Sequence, residues 1–220
     1  MIGKRKCVED LFIYLTLMNK INLMMALIVV LCLGACNANL PKTTETNLTG
    51  KENGKWTEAS PEELPNAIQL INKGKMVLAA GNDKDMNAMA ISQGSIGYLW
   101  HRPVVTIYIS SSRHTHKYLE NNDYFTLSTF APSEMNKLMY LGTHSGRDGD
   151  KIKESGVHTE FTELGNPSFQ EATMTVECKK IYSELFKEEK MDSTVMEMYK
   201  DGTGTHTMYI GEIVNVWIRK

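Results

Sequence analysis

The run from Ala172 to Leu185 limits what this chain can fold into more than any other feature. Met174, Val176 and Cys178 recur with the period of two that an extended chain imposes, and Ile181 carries the apolar pattern on. A second long run, His206–Ile218, holds Met208, Ile210, Ile213, Val214, Val216 and Trp217. Shorter apolar runs precede both: Met76–Ala80 between Gly74 and Gly81, Ala88–Ser92 after the turn-like Gly81-Asn82-Asp83, Pro103–Ser110 and Tyr124–Ser128. Helical patterns are short and few, at His114–Asn121, Ser133–Leu141 and Lys151–Glu154, with a weaker one at Thr194–Tyr199. Ser60 before Pro61-Glu62-Glu63 signals a helix start, and Ala67, Ile68, Leu70 and Ile71 predict a short amphipathic helix ending at Gly74. Many strands with few helices between them exclude a doubly wound parallel sheet. The pattern predicts a mainly β fold: a closed or half-closed antiparallel barrel with peripheral α-helices.

The N-terminal segment stands outside this pattern. In MNKINLMMALIVVLCLGAC (Met18–Cys36) a lysine precedes an apolar stretch from Leu23 to Leu33, and Gly34-Ala35 leads into Cys36. That stretch is shorter than the roughly 20 apolar residues a permanent span needs, so residues 1–35 read as a signal peptide, with Met18 an alternative start. Leu33-Gly34-Ala35-Cys36 resembles a bacterial lipobox, which makes Cys36 the expected lipidation site and places the protein on a bacterial membrane, exported to its periplasmic or cell-surface side. The residues alone leave an ordinary signal peptide or a retained anchor open. Residues 36–55 are polar and read as a flexible tether, and residues 56–220 as the folded domain.

Processing leaves Cys178 as the one free thiol, so neither an internal disulfide nor a multi-cysteine metal site is expected. It also removes Lys4, Arg5, Lys6 and Lys20 against Glu9 and Asp10, taking the net charge from −2 to −4. With no basic surplus, nucleic acid is not an expected partner.

Polar segments interrupt the strands in three places. Asn87–Ser95 mixes small residues with Asn and Ser, which suits close backbone approach by a flat ligand or merely a polar strand end. In VVTIYISSSRHTHK (Val104–Lys117) a β-branched run feeds a helix through three serines. Ser111 or Ser112 is the expected N-cap, and a helix start beside Arg113 and Thr115 suits a phosphate or other anion. The same residues also describe a capped helix beside a solvated arginine. The third segment, Gly142–Lys151, is a glycine-rich loop carrying hydroxyls and charges of both signs. Gly94-Ser95-Ile96-Gly97 sets its serine out of frame for a nucleophile elbow, the histidines lack zinc-ligand spacing, and neither a calcium loop nor a phosphate-binding glycine loop is present.

Together and in this order, the segments resemble the flavin reductase-like family, FMN-binding split barrels related to flavoredoxin. The resemblance runs from about Gly74 to Trp217 through NAMAISQGSIGYLWHRPVVTIYISSSRHTHKYLENNDYFTLS, GTHSGRDGDKIKESGV, ECKKIY and HTMYIGEIV. It implies an antiparallel split β-barrel and a homodimer holding one FMN per subunit at or near the dimer interface. Asn87, Met89, Ser92 and Gly94 would lie along the isoalloxazine, and Ser111, Ser112, Arg113 and Thr115 would hold the phosphate. Ser145, Arg147, Asp148 and Lys151 would close over the flavin, with His206 near the ring. Many relatives carry an aromatic residue where this chain has Gln93, and often one where it has His114. The implied activity is a membrane-tethered, FMN-dependent oxidoreductase of flavin reductase type, drawing electrons from a nicotinamide or a protein donor. The rival reading is a non-enzymatic flavin-binding or electron-carrier lipoprotein. No side chain stands out as a general acid or base.

Overall fold

In the computed structural model, the described residues are 56–65, 67–72, 76–200, 202 and 204–219. The expected signal peptide, Cys36 and the tether lie outside them. The elements in chain order are β1 (Trp56–Glu58), α1 (Ala67–Ile71), β2 (Met76–Gly81), β3 (Met86–Ile91), β4 (Gly94–Leu99) and β5 (Arg102–Ser110). Then follow α2 (His114–Asn121), β6 (Tyr124–Phe130), α3 (Met135–Thr143), α4 (Lys151–Ser155), β7 (Thr159–Phe161), β8 (Pro167–Phe169), β9 (Ala172–Leu185), α5 (Ser193–Glu197) and β10 (His206–Arg219).

The main sheet is antiparallel and runs β3-β2-β6-β9-β10-β5-β4. The two long alternating runs, β9 and β10, lie side by side at its middle. The other edge of β10 is shared, its first half by β5 and its last residues by β1. The two ends of the path, β3 and β4, are joined directly through Ser92 and Gln93 without a hydrogen-bonded ladder between them, so the barrel is half-closed. This is the mainly β, split-barrel architecture that the sequence predicts. At Gly211 the ladder shifts register, and a Cβ there would come 2.6 Å from Phe125 Cζ and 2.8 Å from Cys178 Cβ. Only glycine lets β10 approach that closely.

Apolar side chains fill both faces of the sheet, which is why β2 reads as an unbroken apolar run. Met76, Leu78 and Ala80 join the main core with Ile107, Ile109, Phe125, Leu127, Val176 and Cys178. Val77 and Ala79 face a second core with Leu138, Leu141 and Phe169, supplied by α3 and the β7–β8 hairpin. Each such large apolar side chain contributes about 1.5–3 kcal/mol on burial. Cys178 is wholly buried, and burial pushes its thiol pKa up.

Three expectations need correction. Gly94–Leu99 forms a strand, β4, that no apolar run marks, because β4 ends the sheet path with Ser95, Gly97 and Tyr98 exposed. The Asn87–Ser95 segment is accordingly a polar strand end that runs from β3 through the Ser92-Gln93 turn into β4. The helix expected from Pro61 is broken. A one-turn 3₁₀ helix, Pro61–Glu63, carries a capping box on Ser60, and Pro65 holds Leu64 extended before α1 begins. Gly74, its expected end, lies outside the described residues. The helix expected at Thr194–Tyr199 forms one residue earlier and stops at Glu197.

Candidate functional site

The site begins where β5 hands the chain to α2. The N-cap is Arg113 (φ −75°, ψ 137°), not Ser111 or Ser112, and no side chain caps the helix. The serines are engaged otherwise. Ser110 Oγ accepts from the Ser112 N–H at 3.2 Å and lies 2.9 Å from Ser112 Oγ. The Ser111 N–H donates to the Thr205 carbonyl at 3.1 Å. The turn therefore closes on itself and on the residue before β10, leaving the positive end of α2 without a side-chain cap among the described residues.

Beside that helix end lies a cavity of about 170 Å³, lined by Asn87 and Met89 of β3, Ser112–Thr115, Leu141–Arg147 and Lys151. A neighbouring cavity of about 210 Å³ shares Met89 and Arg113 and runs along Ala90–Gln93, Tyr108–Ser110 and His206. Together they form one groove at the lower end of the ~300–1,000 Å³ range of small-molecule sites.

Buried contacts fix its walls. Asn87 Nδ2 donates to Thr115 Oγ1 at 2.8 Å, tying β3 to α2, and both side chains are buried. The 143–150 loop closes down on this pair at Gly146, where a Cβ would sit 2.5 Å from Asn87 Oδ1 and 2.9 Å from His114 Cδ2. Tyr140 and His144 stack at 3.7 Å between ring centroids, and the Tyr140 hydroxyl donates to Glu154 at 2.7 Å. Lys151, only 5% exposed, donates to the Leu141 and His144 carbonyls at 2.9 and 3.0 Å. It thereby pins the end of α3 to the start of α4.

The groove is cationic. Burial, helped by Arg113, pushes the Lys151 pKa down to about 8. Burial and then Lys117, Arg147 and Lys151 lower that of His114, while burial and Arg113 lower that of His206. Among the described residues, neither the Arg113 nor the Arg147 guanidinium has a carboxylate partner. Unpaired cations beside an uncapped helix start are suited to an anionic ligand.

Of the residues singled out from the sequence, Asn87, Met89, Ser92, Ser112, Arg113, Thr115, Ser145, Arg147, Lys151 and His206 line this groove. Three others do not. Gly94 faces away, with a Cβ position 3.2 Å from Ile71 Cδ1 of α1. Ser111 is exposed on the turn above, and Asp148 is exposed at the tip of the 143–150 loop, its N–H bonded to the Ser145 carbonyl. Cys36 lies outside the described residues. Two tyrosines were not foreseen. Tyr108 lines the groove two residues before Ser110 on the same strand, a relation legible from the period of two. Tyr199 bonds His206 seven residues further on, across an irregular stretch whose spacing matches no strand or helix period.

Among solved structures, the fold resembles flavoredoxin from Methanosarcina acetivorans, with a TM-score of 0.53 at 20% identity over 66% of this chain and 68% of that one. It resembles an FMN-binding domain of a flavin reductases-like enzyme from Shewanella baltica, with a TM-score of 0.55 at 17% identity over 76% and 79%. An FMN-binding protein from Thermus thermophilus gives 0.53 at 19% identity over 80% of each chain. At these identities the likeness is one of fold. No match was found among curated proteins. Residues 69–220, well over half of the sequence, match the family model described as a flavin reductase like domain, and the chain belongs to that family.

Proposed function

We propose that this protein is an FMN-binding oxidoreductase of the flavin reductase type, tethered to a membrane through Cys36. The observation that carries the reading is the groove's charge: Arg113, Arg147 and Lys151 line the cavity beside the uncapped start of α2, with no carboxylate among the described residues paired to either arginine. A phosphate dianion fits that donor set, and the named solved relatives include FMN-binding proteins. Arg113, Arg147, Lys151, Ser112 and Thr115 would hold the phosphate, and Met89, the 90–93 backbone, Tyr108 and His206 would border the ring. Bound flavin would supply the hydride and electron chemistry. The chain's own part is to bind and orient the group, to keep cations near it, and to cover it with the 143–150 loop. The proposal extends to a homodimer, supported by the exposed Trp100 and Tyr182, whose rings meet edge-on with centroids 6.3 Å apart.

The test is a spectrum followed by a reduction. Purified full-length protein should take up FMN and show a flavin absorbance band, and NADH or NADPH should bleach it under anaerobic conditions. A chain that takes up no FMN overturns the reading. Uptake with bleaching by dithionite but by neither nicotinamide overturns the nicotinamide-driven reductase and leaves the electron carrier.

A further inference from the structure

The connection between β9 and β10 returns to the groove at one point. Among the described residues of this connection, Ser193–Glu197 form α5 and Tyr199 meets His206, the residue that opens β10. There the Tyr199 hydroxyl lies 3.0 Å from His206 Nδ1, and the two rings meet edge-on with centroids 5.5 Å apart. His206 borders the groove, and its other ring nitrogen, Nε2, has no hydrogen-bond partner among the described residues.

We infer that Tyr199 is a positioning residue for His206: its hydroxyl donates to Nδ1, holds the imidazole in the Nε2–H tautomer and presents that N–H to the groove as a hydrogen-bond donor. A phenol is a better donor than acceptor, and a neutral imidazole offers one acceptor nitrogen. With Nδ1 used as that acceptor, the proton must sit on Nε2. Among the described residues, the titratable groups that share the groove with His206 or bond to it are Arg113 of the α2 start, Tyr108 of β5 and Tyr199 itself. The Glu188 carboxylate nearby is taken by the Thr205 hydroxyl at 3.0 Å, and among the described residues no carboxylate bonds the imidazole. The ligand atom this N–H suits is an acceptor on a flat heterocycle, such as a ring carbonyl oxygen or ring nitrogen. The identity of that heterocycle rests on the flavin reading above, whereas the tautomer does not.

The experiment is nitrogen NMR of the full chain with ¹⁵N-labelled histidine, recorded without and with FMN, His206 being assigned by its loss in His206→Gln. An acceptor-type Nδ1 and a protonated Nε2 in the unmodified chain support the inference; a protonated Nδ1 there overturns it. In Tyr199→Phe, which keeps the ring packing, His206 should turn into a tautomer mixture with a raised pKa while the other histidines stay unchanged. An unchanged His206 tautomer in that variant also overturns the inference. FMN affinity should fall about fivefold in Tyr199→Phe, the loss expected from one misplaced hydrogen bond. If the unmodified chain binds no FMN, the flavin reading fails, and the tautomer result still decides the role of Tyr199.

Discussion

A methyl group at Gly146 has nowhere to go. Asn87 Oδ1 would lie 2.5 Å from it, and Asn87 cannot swing away without giving up its bond to Thr115. Gly146→Ala should therefore lift the 143–150 loop or cost about 1–3 kcal/mol in strain, read as a lower urea midpoint together with weaker FMN binding. Lys151 gives a second residue-scale prediction. Its ammonium holds two carbonyls, yet burial and Arg113 leave its pKa at about 8 before any anion arrives. A bound phosphate dianion raises that value, so above pH 8 binding must take up a proton, and affinity must fall as pH rises. Below about pH 6 the phosphate itself becomes a monoanion, which sets the lower edge of the plateau. FMN affinity should hold steady between these limits and drop roughly tenfold by pH 9.5. Fluorescence titrations across this range check it: Lys151→Met should bind more weakly and lose the alkaline fall, and riboflavin should not show it at all.

At the scale of elements, the β7–β8 hairpin depends on one buried carboxylate. Glu177 of β9 is fully buried and accepts from Thr162 Oγ1, from Asn166 Nδ2 at 2.7 Å and from Asn215 Nδ2 at 2.6 Å. Glu177→Gln replaces one acceptor oxygen with an amide facing donors, and should cost about 2–3 kcal/mol in urea unfolding. Faster hydrogen exchange at the β7–β8 amides would locate that loss in the hairpin. The hairpin also shows why part of the fold escaped the sequence. On β9, Met174, Val176 and Cys178 mark one face as core by their spacing, which makes Thr175 and Glu177 read as solvent-facing. They are buried because two three-residue strands, too short to carry a period, fold over them. The long strands and α2 were legible because their patterns last long enough to distinguish a period of two from 3.6. β4 was not: Gly94, Ser95 and Gly97 give it little apolar signal. The site divides in the same way. Its cations and hydroxyls could be read from residue type, but the displacement of the N-cap to Arg113 depends on Ser110 engaging Ser112 and on Ser111 meeting Thr205 just before β10, and no local pattern records the second contact.

For the whole molecule, the groove is assembled from segments far apart in sequence: β3, the β5–α2 turn, the 141–151 segment and the first residue of β10. A ligand touching all of them acts as a cross-brace between sheet and helices, and it binds only when they are together. Stabilisation by FMN should then follow mass action, about 2.7 kcal/mol at a hundredfold excess over Kd. For a folded domain of this size that corresponds to a rise in Tm of roughly 5–10 °C, readable by calorimetry. Riboflavin, which lacks the phosphate, should span fewer segments and give a smaller rise. Arg113→Ala sharpens the comparison, because Arg113 borders both cavities. Its loss should weaken FMN tenfold or more while changing riboflavin affinity little, as expected for one charge-assisted phosphate contact worth about 1.5–3 kcal/mol. An equal loss for both ligands would place Arg113 beside the ring instead of the phosphate and would reverse the groove's orientation.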